Sequence, residues 1–136
     1  MARVKPNNRG SISIHRGFPN AVEETAKITL DLHDYVVKHP ASTFYMRVEG
    51  DSWAEMGIHT GDLLIVDKSL EMRSGDLVVA YLEGDFTLRY FIKRDNGGQL
   101  VTKTGSEPIF TDEATDLLIW GVVTFTIYSH RGKLHA

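Results

Sequence analysis

A chain of 136 residues, 42% hydrophobic and 24% charged, has the size and balance of one globular domain able to bury its own core. It contains no cysteine, which excludes disulfides, thiolate nucleophiles and cysteine-held zinc. With 15 basic against 18 acidic residues the net charge is −3, which argues against a broadly electropositive nucleic-acid-binding surface.

The N-terminus carries Arg3, Lys5 and Arg9 with no apolar run behind them, so it does not read as a signal peptide. Residues 1 to about 28 hold two prolines, three asparagines and two glycines without sustained apolar periodicity, and are expected to form an extended or disordered arm. Residues 29–136 are expected to form the folded domain. Its first element is a short helix in "TLDLHDYVVKHP", with Thr29 as N-cap, an apolar stripe of Leu30, Tyr35, Val36 and Val37, Lys38 and His39 at the C-terminal end, and Pro40 as the stop.

From Thr43 onward the pattern is almost entirely strand. "TFYMRV", "LLIVD" and "DLVVAYL" follow one another, the turn Glu83–Asp85 leads into "FTLRYFIKR", and "DNGG" turns into "QLVTKT". The run "DLLIWGVVTFTIYS" closes the domain; its apolar part is too short for a spanning helix, and its Val, Thr, Ile and Phe content suits a buried strand. The expected fold is therefore mainly β, with short antiparallel strands, one short helix and a mobile arm. Fewer than fifty residues precede the first strand and only one helix lies among them, so a helix-turn-helix is not expected, nor is sequence-specific DNA binding.

Within "VEGDSWAEMGIHTGDLLIVD" (48–67) one hydroxyl residue, Ser52, stands between two Gly-Asp pairs. Gly-Asp-Ser alone is ordinary turn chemistry. A serine becomes a nucleophile only when a neighbouring base takes its proton. The wider pattern raises Ser52 above a turn residue: "GFPN", "HPAST", "EGDSW", "GDLLIVD" and "SGDLVVAYLEGDFTL" occur in that order.

In this ordered set the chain resembles the self-cleaving serine-lysine peptidases of the LexA and phage-repressor type, and most closely the UmuD-like members, accessory subunits of the error-prone DNA polymerase V. The resemblance runs from about Ile14 to Ser129. It implies a LexA/UmuD-type peptidase fold, a homodimer, and cleavage of the arm stimulated by the RecA–single-stranded DNA filament. It also implies a Y-family, UmuC-like polymerase partner. From the residues themselves, the lack of cysteine fits a cytoplasmic setting, and neither a metal, a cofactor nor a membrane is expected, since the histidines show no metal-ligand spacing, no Gly-rich phosphate loop occurs and no apolar run is long enough to span. Ser52 takes the place of the nucleophile, with Asp51 and Trp53 beside it, and backbone amides around it would stabilise the oxyanion. The family's base is a lysine whose pKa, ordinarily about 10.4, is lowered by burial.

The sequence departs from this pattern at three positions. Arg89 of "GDFTLRYF" stands where the lysine belongs, and a guanidinium neither loses its proton in proteins nor offers a lone pair. Lys93 shares its strand parity but lies ~13 Å further along, and His59 is expected to be a loop histidine. Trp53 replaces the usual methionine. The scissile bond would be Arg16–Gly17, with a long charged side chain where the family has a small residue. Considered without the family, Arg89 is expected to be a partly exposed strand residue in an ion pair. The expected function is thus an SOS-response protein with impaired self-cleavage. The alternative is a non-enzymatic dimeric module regulating a Y-family polymerase. A signal-peptidase relative, which would share a Ser-Lys dyad, fits poorly without a membrane anchor.

Overall fold

The computed structural model describes residues 31–95, 97–103, 108–111 and 117–133. The arm expected over residues 1–28, with Arg16 and Gly17, lies outside them, as does Thr29. The chain divides into two units, Met1–Tyr35 and Val36–Ala136, and only Asp31–Tyr35 of the first is described.

Helix α1 spans Leu32–Val36, and its start is set by Asp31, whose Oδ1 accepts the Asp34 amide at 3.2 Å in the manner of an N-cap. The helix is shorter than the sequence pattern predicts: Lys38 and His39 lie beyond its end. His39 has an extended backbone (φ −130°, ψ 81°), as the following proline favours, and Pro40–Ser42 forms a 3-10 turn.

Seven strands follow: β1 (Thr43–Arg47), β2 (Leu63–Asp67), β3 (Leu77–Leu82), β4 (Asp85–Arg94), β5 (Gly97–Val101), β6 (Ile109–Phe110) and β7 (Leu117–Ile127). They form one sheet in the order β1-β2-β7-β3-β4-β5-β6, and every pairing is antiparallel. The expectation of a mainly β, antiparallel domain with one short helix therefore holds. The β3–β4 hairpin closes through Glu83 (φ 51°) and Gly84 (φ 90°), with Leu82 opposite Asp85. Two successive left-handed residues make a type I′ turn, whose twist matches that of the strands it joins.

Strand alternation gives the sheet two apolar faces. One carries Val48, Ile58, Leu64, Val66, Val79 and Leu88, with Met46, Trp53 and Trp120 packed against them. The other carries Val78, Ala80, Phe91, Leu100 and Val122. This explains why "LLIVD" and "LVVA" read as continuous apolar runs: Leu64 to Val66 and Val78 to Ala80 are buried on both faces.

Strand β7 lies between β2 and β3 and is bulged against both. Its register skips Thr124 between Phe125 and Val123 on the β2 side, and Trp120 between Gly121 and Ile119 on the β3 side. Each extra residue bends the strand. Gly121 lies at the tight point of the bend, where a Cβ would meet Val66 Cγ1 at 2.7 Å and the Asp67 carbonyl oxygen at 3.4 Å. Val66 is completely buried and cannot retreat. Gly121→Ala is expected to cost about 1–2 kcal/mol of stability, read as a lowered denaturation midpoint at unchanged m-value.

Candidate active site

Ser52 lies in the loop leaving β1, within a turn closed by the Ala54 amide on the Asp51 carbonyl (3.2 Å), just ahead of a 3-10 turn over Ala54–Met56. Its side chain is exposed, as is that of Asp51, and among the described residues the Ser52 hydroxyl makes no hydrogen bond. The turn residues that follow are tied to one another: Trp53 O accepts the amides of Met56 (2.9 Å) and Ile58 (3.2 Å). Trp53 itself is half-buried and packs on the cluster of Val48, Leu64, Val79 and Leu88.

Beside this loop is a cleft of about 170 Å³. Met46–Glu49 from the end of β1 line one side and Phe86–Leu88 from the start of β4 the other, with Trp53 and the buried Leu64 and Val79 completing the wall. Each strand has one free edge here among the described residues. β1 pairs only with β2, and β4 meets β5 only from Tyr90 onward, so Asp85–Arg89 is bonded to β3 alone.

Arg89 follows Leu88 on this open stretch. The Phe91 amide donates to the Asp76 carbonyl, so odd-numbered residues of β4 bond toward β3 and even-numbered ones, Leu88 included, direct their peptide groups outward. Arg89 Nη1 donates to that outward Leu88 carbonyl at 2.9 Å and to Thr87 Oγ1. The expected ion pair is not found among the described residues: both acceptors are neutral, and Arg89 Nε is buried without a partner. The cleft thus brings Trp53 together with Thr87 and Leu88, the chain neighbours of Ser52 and Arg89. His59 lies in the loop before β2, its ring against Tyr128 (centroids 5.1 Å) rather than in the cleft.

A second polar group was not foreseen from the sequence. Asp67, 4% exposed, receives His39 Nδ1 at 2.6 Å on one oxygen and both the amide (2.8 Å) and hydroxyl (2.6 Å) of Ser69 on the other. Burial pushes its carboxyl pKa up, but the hydrogen bonds from Ser69 and His39 and the charge of His39 outweigh this and hold it below 3.8. The partners are 28 residues apart in sequence, with no local pattern linking them. Although His39 was expected at a helix end, it instead fastens the start of the Val36–Ala136 unit to the end of β2.

The match to known proteins follows this architecture. Residues 10–124 match the Peptidase S24-like family. The chain is 35% identical to MucA of Salmonella typhimurium over 118 residues, covering 86% of this chain and 81% of MucA. It is 36% identical to SamA of Salmonella typhimurium strain LT2 over 115 residues, 85% of this chain and 80% of SamA. A LexA repressor of Leptospira interrogans shares 33% identity over 100 residues, 73% of this chain and 49% of the repressor. The chain therefore belongs to the S24 peptidase-like family, among its UmuD-like members. That membership supports a role in SOS-response mutagenesis.

Proposed function

We propose that this chain is a UmuD-like SOS protein that keeps the peptidase fold, the cleft and the nucleophile position but cleaves its own arm poorly. The observation that carries the reading is Arg89, at the place of the family's lysine, with its guanidinium spent on the Leu88 carbonyl and Thr87 Oγ1. Attack of Ser52 Oγ on the Arg16 carbonyl requires an acceptor for the hydroxyl proton, and a guanidinium has no lone pair to offer. The rest of the machinery fits the chemistry. Ser52 is exposed on a turn, and among the described residues the amides of Ser52 and Trp53 donate to no backbone acceptor, which leaves them free to stabilise an oxyanion.

On this reading the protein acts as a homodimer in the cytoplasm, responds to the RecA–single-stranded DNA filament and serves a Y-family, UmuC-like polymerase. Incubation with RecA, single-stranded DNA and a nucleotide analogue is expected to leave the chain at full length by mass spectrometry. Efficient, Ser52-dependent loss of the segment ending at Arg16 would overturn the impaired reading.

The non-enzymatic module is supported by a separate observation. Phe44, Tyr81, Phe86 and Leu118 are all more than a third exposed, and Phe44 and Phe86 both contact Trp120 (centroids 5.1 and 5.9 Å). An aromatic surface beside the cleft suits a protein partner of a chain whose arm stays attached.

A further inference from the structure

At the end of the sheet where β1 stops and β7 runs out, several cationic and aromatic side chains converge. Arg47 Nη1 donates to the Gly61 carbonyl at 2.9 Å, and Lys133 Nζ stands 3.7 Å from the position a Cβ on Gly61 would take. Lys133 also lies over the Tyr128 ring, 5.3 Å from its centroid. Tyr128 is itself flanked by His59 (5.1 Å) and His130 (4.9 Å), making a run of three rings. The chain holds the C-terminal part of this group in place by a turn in which the Lys133 amide donates to the His130 carbonyl at 3.2 Å. Arg131, exposed, sits inside that turn.

The charge here runs against that of the whole chain, which is −3. Among the described residues the one carboxyl group paired with this cluster is Asp62, 3.8 Å from His59 Nδ1, and it is fully buried. Arg47, His59, His130, Arg131 and Lys133 are all exposed. The surface therefore presents cations and ring faces to solvent with no exposed acid among those contacts.

We propose that this surface binds single-stranded nucleic acid without sequence preference, through Arg47, Arg131 and Lys133 on phosphates and, on bases, the exposed rings of His59 and His130 with the half-buried ring of Tyr128 between them. Interleaved cations and rings are what a backbone-tracking, base-stacking site requires, and only unpaired strands offer base faces. An acidic protein segment would satisfy the cations and leave the rings without a role. A local patch of this kind is compatible with an acidic chain that has no helix to place in a groove. Of its residues Arg47 alone also lines the cleft beside Ser52; His59, Tyr128, His130, Arg131 and Lys133 are not among that cleft's lining.

The test is fluorescence anisotropy of a labelled oligothymidylate with the full chain at low ionic strength. Three phosphate contacts predict a slope of log K against log salt of about −2, at about 0.7 per contact for single strands. Lys133→Ala should flatten that slope by about 0.7, whereas Tyr128→Ala should weaken binding about tenfold at unchanged slope, because stacking releases no counterions. Lys133 is exposed and its replacement leaves the core untouched, so its effect is readable even if Tyr128→Ala perturbs folding. Absence of binding at low salt, an affinity indifferent to Lys133→Ala, or equal binding of a polyglutamate peptide would each overturn the proposal.

Discussion

Arg89→Lys is expected to restore self-cleavage at Arg16–Gly17, raising the rate in the presence of the RecA filament by about 10²–10⁴-fold, the usual worth of a positioned general base. The change supplies an amine that can lose its proton in a partly buried setting, which a guanidinium cannot. It also releases the Leu88 carbonyl from Arg89 Nη1. Two signatures identify the gain as dyad chemistry: it disappears when Ser52→Ala is added, and it increases with pH as the lysine deprotonates. If the lysine variant stays silent, the fault extends to Trp53, which lines the cleft beside Ser52, or to Arg16 on the acyl side of the bond. Trp53→Met in the same background separates these, since it changes the cleft wall and leaves the scissile bond as it is.

The second large effect is on stability. Asp67→Ala is expected to cost about 3 kcal/mol at pH 7, because it strips a largely buried site of hydrogen bonds from His39 and from the amide and hydroxyl of Ser69. The His39 ring is half exposed, so its share is discounted for solvent screening and the Ser69 bonds dominate. The pH dependence has a definite sign. Folding lowers the Asp67 pKa below 3.8, so the unfolded chain binds the proton more readily than the folded one. The stabilisation is complete above the unfolded pKa and is lost as pH falls through the folded one. Denaturant midpoints measured from pH 6 to pH 2 should therefore fall for the unaltered chain and fall less for Asp67→Ala.

Much of the fold was legible because the strands follow simple patterns. The runs at Leu63–Asp67 and Leu77–Leu82 match the observed strands to within a residue, and the Glu83–Gly84 hairpin was marked by its turn residues. β6 was missed because its two residues, Ile109 and Phe110, are too few to show alternation. The turn read as "DNGG" is tighter than that, since Gly97 and Gly98 pair opposite Arg94 and Lys93 and belong to β5. The helix was overextended because His39 looked like a favourable C-terminal cation, while its ring is taken by Asp67, a partner that only the folded chain brings near. The site was legible in a different way. Ser52 and Arg89 came from an ordered motif set, and the structure adds what hydrogen-bonds Arg89, which no spacing in the sequence could reveal. The converging cations and rings around Gly61 come from three separate stretches of chain and left no periodic trace.

The open half of β4 also bears on how copies of the chain behave at high concentration. A sheet edge with outward peptide groups is a template on which another copy can add a strand, the first step toward fibrous aggregates. Arg89 covers one such group, the Leu88 carbonyl, with a bulky charged head beside the exposed Phe86. Whatever the residue costs in proteolysis, it makes this edge harder to extend. A chain with lysine there trades that protection for chemistry, and its solubility on prolonged storage should be the lower of the two.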